Sequence, residues 1–335
     1  MGRLVLLVVL VIACVGGWYF FANYTVEVRR GQDGRFESIR ILARAPASSL
    51  RGPIDLPPAA PTRGTIRIAS FDLDGLDEAK LARSHVSDAL VRILPHFDVV
   101  AIQGIRSRNR GVLVRLVEQI NATGRYYDFA TCPTLDRDPV EPYNAMLLDL
   151  TTVEVDRSTV HSVEDPARRF KVKPLVGAFR VRGPPEKEAF TFTLINVKVD
   201  PDRAAAELDL LADVFRAVRD SNRDEDDFIL LGSLETDPGH LGRLGQVPNL
   251  TAAIVGTPTT TRGTRLAGNI LFDRRATVEY TGRSGVFDMI RELDLSPQAA
   301  LEVSEHLPVW AEFSSYEGGQ SGHATGWESP ADSQR

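Results

Sequence analysis

Between Thr65 and Phe313 short apolar runs alternate with stretches of helical period, and each change of period marks an expected element. Strands are predicted at Thr65–Phe71, Asp98–Gln103, Tyr127–Ala130, Ala145–Leu148, Leu175–Val181, Phe190–Lys198, Ile229–Leu231, Ala252–Val255, Asn269–Phe272, Thr277–Thr281 and Val309–Phe313. Helices are predicted over Glu78–Leu94, Gly111–Ala122 and Ala204–Arg219. In the first, Leu81, Val86, Leu90, Ile93 and Leu94 keep one face; in the last, Leu208, Leu211, Val214, Phe215 and Val218 do so. Many strands with helices between them indicate a layered α/β sandwich in one domain, with no repeat of solenoid or propeller length.

Both ends of the chain break this pattern. Leu4 to Ala22 carries no charge over about 19 residues, close to the ~20 that a membrane-spanning helix needs. Trp18, Tyr19 and Tyr24 stand at its end, where amphipathic rings favour a membrane interface. A signal anchor is the reading this length favours. A cleaved signal peptide, and lipidation at Cys14 of Val11-Ile12-Ala13-Cys14, stay open. Arg29, Arg30, Arg35 and Arg40 after the span favour a cytoplasmic domain, whereas the short amino-terminal region resembles an export signal and favours an extracytoplasmic one. A hairpin is expected from Tyr24–Arg30 and Arg35–Leu42 around Gly31-Gln32-Asp33-Gly34, followed by a Pro/Ala-rich linker to Gly64. The expected layout is a single-pass anchor over 1–24, hairpin and linker over 25–64, the globular domain over 65–314, and a disordered tail over 315–335.

Composition narrows the function classes. A net charge of -6 and 43% hydrophobic residues describe a globular protein without the bulk positive charge of a nucleic-acid binder. Two cysteines, Cys14 and Cys132, make a disulfide framework unlikely to exist, and no Cys/His zinc spacing is present. Arg106, Arg108 and Arg110 form a basic loop that suits a phosphate group or solvent equally.

Five segments carry a resemblance when taken in order. Ile66-Arg67-Ile68-Ala69-Ser70-Phe71-Asp72 and Asp98-Val99-Val100-Ala101-Ile102-Gln103-Gly104 resemble the first strand and the D-I-V-x-x-Q-E strand of the endonuclease/exonuclease/phosphatase superfamily, the deoxyribonuclease I-like fold. Leu194 to Asp200 is similar to the strand that ends in the family's histidine, Leu231 to Asp237 to its G-D-x-N-x-D segment, and Ser304-Glu305-His306-Leu307-Pro308-Val309 to its S-D-H-x-P-V. The resemblance implies an α/β/β/α sandwich of four layers and phosphoester hydrolysis assisted by Mg2+ or Mn2+ on carboxylates.

Scaffold positions such as Phe71, Gln103, Gly232, Pro308 and Trp310 fit that pattern, and the chemical positions depart from it. Asp72 replaces the strand-one asparagine, Gly104 the metal-binding glutamate, Lys198 the central histidine, and Ser233 and Glu235 the aspartate and asparagine of G-D-x-N. Gly268 falls where an aspartate orients the last histidine, Glu305 replaces the aspartate before it, and His306 is retained. Tyr143 matches a family tyrosine, and with Arg106 it is the candidate phosphate contact. These replacements imply a domain without a metal cofactor that acts by binding a protein or a phosphate-containing ligand, with Lys198 paired to Glu235 or Glu305 and His306 as a hydrogen-bonded structural residue. The alternative is a divergent hydrolase whose metal sits on Asp72, Glu235 and Glu305, with His306 beside it.

Overall fold

The computed structural model describes residues 64–108, 110–132, 141–221 and 225–319, together with the backbone of two strands nearer the amino terminus. Those two are β1 (Tyr24–Arg30) and β2 (Phe36–Ala43), an antiparallel pair forming a sheet of their own. The apolar segment Leu4–Ala22, the Pro/Ala-rich linker and the tail beyond residue 319 lie outside the described residues. Among the described residues no helix is long and apolar enough to cross a membrane.

Two six-stranded sheets face one another. In the first, β3 (Thr65–Leu76) and β4 (Val99–Ile105) are parallel neighbours; beyond β4 lie β6 (Tyr143–Asp149) and β5 (Tyr127–Ala130), and beyond β3 lie β14 (Val309–Ser314) and β13 (Tyr280–Val286). In the second, β9 (Thr191–Lys198) and β10 (Phe228–Ser233) are the parallel pair. β8 (Leu175–Val181) and β7 (Val153–Ser162) flank β9, while β12 (Gly268–Asp273) and β11 (Leu250–Ala252) flank β10. β4, β6 and β10 are buried at every position, because each is covered by the opposing sheet on one face and by helices or loops on the other. That double cover explains their continuous apolar runs.

Helices α1 (Glu78–Leu81), α2 (Ser84–Ile93) and α3 (Gly111–Asn121) close the outer face of the first sheet through Leu81, Val86, Leu90, Leu113 and Leu116. α4 (Ala204–Ser221) covers the second sheet with Leu208, Leu211 and Phe215. The single helix expected over Glu78–Leu94 is interrupted: Asp77 caps α1, and Arg83 turns extended before α2 restarts. The apolar stripe runs through both pieces, so periodicity alone hides the break. Two short helices, α5 (Met289–Leu293) and α6 (Pro297–Val303), were not expected; Asp288 and Ser296 cap them, and their length is too small for a periodic signal. β7 was also missed, since it is an edge strand whose residues are half-buried or exposed apart from Val153. The strands expected at Ala252–Val255 and Thr277–Thr281 lie instead at Leu250–Ala252 and Tyr280–Val286.

The space between the sheets is not uniformly apolar. At one end rings pack in sequence, with Phe190 centred 5.0 Å from Phe192 and 5.9 Å from Phe313. Nearer the other end, Gln103 Nε2 donates to Asn196 Oδ1 at 2.8 Å, and Asn196 Nδ2 donates to the carbonyls of Ala145 at 2.9 Å and Ile102 at 3.1 Å. Asn144 Nδ2 closes the group by donating to the Asn196 carbonyl at 3.2 Å. This network ties β4 and β6 to β9 and sets the spacing of the sheets where their carboxyl ends meet, with Asn144 Oδ1 left without a partner among the described residues. Asn196→Ala should therefore cost about 3 kcal/mol, because it removes three buried hydrogen bonds at once, the one from Gln103 and those to the Ala145 and Ile102 carbonyls; chemical denaturation measures it, and a loss below ~1 kcal/mol would show that the network is dispensable.

Candidate functional site

β3, β4, β9 and β10 all deliver their carboxyl ends to one edge of the sandwich, the usual place for chemistry on α/β sheets. The backbone there is special in each case. Gly232 lies so close to β9 that a Cβ would stand 1.8 Å from the Val197 carbonyl oxygen, so no side chain fits. Gly104 has φ +74, and a Cβ would lie 3.0 Å from Asp72 Oδ1 and 3.4 Å from both Gly75 N and Lys198 Nζ. Beside it β3 slips register between Asp72 and Leu76, passing through Asp74 in a left-handed conformation at φ 46. Glu235 is left-handed as well, at φ 59.

Three carboxylates gather at this edge, and each is already engaged. Asp72, 4% exposed, forms an ion pair and hydrogen bond with Lys198 Nζ. Asp74 accepts from the Glu305 backbone N–H at 2.8 Å and from Ser304 Oγ at 3.1 Å. Glu235 accepts from Ser233 Oγ at 2.6 Å and pairs with Arg265. The His306 ring stands among all three, with Nε2 3.6 Å from Asp74, 3.7 Å from Glu235 and 3.9 Å from Asp72. Its Nδ1 is buried without a hydrogen-bond partner among the described residues. Gly268, opposite Ser233 in the β10–β12 register, brings no side chain to it; Thr259 Oγ1 accepts from its backbone N–H at 2.9 Å.

Several expectations change here. Lys198 pairs with Asp72 rather than with Glu235 or Glu305, because both side chains meet in the space beside Gly104 whereas Glu235 is taken by Arg265. Glu305 is exposed and contributes its backbone N–H, so the expected trio of Asp72, Glu235 and Glu305 is replaced by Asp72, Asp74 and Glu235. His306 is buried as a structural residue would be, but its ring makes ion-pair contacts beyond hydrogen-bond length instead of the expected hydrogen bonds. Asp74, Arg265 and Ser304 were missed. Asp72-Leu73-Asp74 carried a signal, two carboxylates at strand spacing; Arg265, in a Thr-rich loop, carried none.

The remaining candidates lie on the rim. Arg106 is exposed and lines a cleft of about 250 Å³ with Asp74, Gly104, Lys171, Lys198 and Asp200. Lys171 is held there by Asp200 at 3.0 Å, and both backbones are fixed by the buried Glu207. Tyr143 lines a neighbouring cleft of about 300 Å³ that shares Pro142 and Lys171 with the first. Burial and then Glu78 push the Tyr143 phenol up to about 12, so it stays a neutral hydrogen-bonding group.

A divalent cation of the kind the fold family uses needs an all-oxygen shell of free carboxylates. Asp72, Asp74 and His306 place three ligand atoms within 4.8 Å of one another. The donor set nevertheless fits such an ion poorly, since Lys198 occupies Asp72, Gly104 supplies no ligand, and Asp74 Oδ2 is committed to Ser304 and Glu305, which leaves Oδ1 facing His306. At ~4 Å a lysine and a divalent ion repel by about 8 kcal/mol at an effective dielectric of ~20.

Burial raises the Asp72 carboxyl, but Lys198 and then His306 outweigh it, so its pKa lies below the ordinary 3.8. A depressed carboxylate stabilises the fold fully above that ordinary value, and the contribution disappears as the pH falls through the folded one. Lys198→Met should thus destabilise by about 3 kcal/mol at neutral pH, by leaving a buried carboxylate unpaired, and the deficit should shrink in acid as Asp72 protonates. Denaturant titrations of wild type and variant at several pH values would show a pH-independent deficit if the pair were not the cause.

No family model matches the chain. Among curated proteins it is 26% identical over 262 residues to deoxyribonuclease gamma of Rattus norvegicus, covering 73% of this chain and 83% of that protein. It is 28% identical over 261 residues to deoxyribonuclease-1-like 1 of Sus scrofa, covering 74% and 81% respectively. Among solved structures, a functionally unknown conserved protein from Enterococcus faecalis V583 aligns with a TM-score of 0.53 at 14% identity, over 73% of this chain and 98% of that one. Humanized D. rerio TDP2 aligns with a TM-score of 0.53 at 12% identity, over 75% and 99%. The paired sheets, the ordered strand-end segments and the similarity to these deoxyribonucleases support the assignment of the chain to the endonuclease/exonuclease/phosphatase, deoxyribonuclease I-like superfamily.

Proposed function

We propose that this protein is a membrane-anchored deoxyribonuclease I-like domain that has lost metal-dependent phosphoesterase chemistry and acts by binding or scaffolding. The observation that carries the reading is the Lys198 ammonium seated on Asp72 beside a glycine at position 104. A fixed side-chain cation then performs the charge balance that a metal performs in an active site of this kind, and it cannot polarise a phosphate or activate water as a Lewis acid. The apolar run from Leu4 to Ala22 supports the anchor.

The cleft lined by Arg106, Lys171 and Lys198 supports an anionic, phosphate-containing ligand as the thing bound. Arg106 is the group on that rim that offers a planar fork of donors to phosphate. A protein partner remains the scaffolding form of the same reading, and bulk nucleic-acid binding is disfavoured by the net charge of -6.

A second reading has a specific observation in its favour. The curated relatives are named deoxyribonucleases, and Asp72, Asp74 and His306 place ligand atoms within 4.8 Å of one another, close enough to share one ion. In that case the domain is a divergent metal-dependent hydrolase in which Lys198 swings away.

Full-length protein should show no Mg2+- or Mn2+-dependent turnover of bis-(p-nitrophenyl) phosphate or plasmid DNA above buffer. Turnover that disappears in His306→Ala would establish the second reading instead. Gly104→Glu should not create activity: its backbone is left-handed and its Cβ would crowd Asp72, so the variant is expected to lose about 2 kcal/mol of stability. Calorimetric unfolding of that variant checks the strain independently of any assay.

A further inference from the structure

β10 runs roughly 20 Å from its amino end to the candidate site, and a second acidic group sits where it begins. Asp227, Glu279 and Glu317 place carboxylate oxygens within 4.8 Å of one another, and Asp227 also groups with Glu225 and Asp226. Asp227 and Thr277 are each 1% exposed and Glu279 is 2% exposed. Among the described residues neither Asp227 oxygen, nor Glu279 Oε2, nor the Thr277 hydroxyl finds a hydrogen-bond partner outside this group; within it Asp227 faces the Thr277 hydroxyl and Glu279. Buried carboxylate oxygens that meet only one another and a hydroxyl are costly, and a proton or a cation held between them offsets that cost.

The rest of the cluster is held rigid. Glu279 Oε1 accepts from the Gly318 N–H at 2.6 Å, Glu317 Oε2 accepts from the Thr191 N–H at 3.1 Å, and Glu225 Oε1 accepts from the Asp227 N–H at 2.8 Å. Each carboxylate thus spends one oxygen on the backbone or none and leaves another free. Glu317 is exposed, which gives an ion a path in from solvent. Burial, then the charge of Glu279, pushes the Asp227 carboxyl up to about 9, so proton sharing is the state that competes with an ion here.

We propose that Asp227, Thr277, Glu279 and Glu317 form a Ca2+ site. The donors are hard oxygens in the number and spread that suit the 2.3–2.6 Å bonds of Ca2+, whereas Mg2+ keeps most of its water and binds poorly to an all-protein cage. The ion joins three pieces of chain that are distant in sequence: the start of β10, the approach to β13, and the segment leaving β14. It is a structural clamp at the end of the sandwich opposite the candidate site, and it does not depend on whether that site is active.

Calcium titration of chelator-treated full-length protein, read by calorimetry and by thermal unfolding, tests the site. The expected result is one saturable Ca2+ per chain and a rise in Tm of about 5 °C at a hundredfold excess over Kd. Asp227→Asn and Glu279→Gln should each abolish both, while Asp227→Asn leaves the metal-free Tm unchanged or higher by removing an uncompensated charge. Asp74→Asn, at the other acidic group, should bind Ca2+ as wild type does. Absence of binding in wild type, binding undiminished in Asp227→Asn, or binding lost in Asp74→Asn would each overturn the assignment.

Discussion

The pair between Asp72 and Lys198 joins the ends of two strands that belong to different sheets, and much of the local structure follows from it. Asp72 is almost fully buried, and a lone carboxylate there would be expensive unless protonated or neutralised. Lys198 neutralises it, and Gly104 leaves the room in which the ammonium sits. The left-handed turns at Asp74 and Gly104 then aim the next carboxylate at Ser304 and the backbone of Glu305 instead of at an ion. Gly104 and Lys198 therefore act together, the one leaving the space that the other fills.

Charge balance extends outward from that pair. Glu235 belongs to Arg265, and His306 faces three carboxylates without a donor or acceptor for Nδ1 among the described residues. A histidine in a hydrolytic pair needs a partner that fixes its tautomer and raises its basicity. Gly268 removes that partner, and the Thr259 hydroxyl instead organises the loop backbone around it. The strand ends carry a set of internal ion pairs, and the cleft alongside is lined by Arg106, Lys171 and Lys198 together with Asp74 and Asp200.

Much of this was legible in the sequence because it is written in strand ends. The doubly covered strands β4, β6 and β10 read as apolar runs, and the short polar segments after them gave the order of Asp72, Gly104, Lys198, Ser233 and His306. The partners were less legible. Which carboxylate meets Lys198 depends on how two sheets stack, and Arg265 reaches Glu235 from a loop with no periodic signal. Glu305 was misplaced because a motif gives a position but not the direction of its side chain, and here the backbone N–H faces inward. Nothing in the sequence connects the acidic run ending in Asp227 with Glu279 and Glu317, which the fold brings to meet it.

The central claim is that Lys198 stands where a catalytic cation would stand. A crystal structure of the full-length protein grown with Mn2+ tests it most directly, since anomalous scattering locates the ion without reference to activity. The account predicts no Mn2+ between Asp72, Asp74 and His306, with Lys198 Nζ still in contact with Asp72. An ion bound by Asp72 and Asp74, with the lysine displaced, would contradict it.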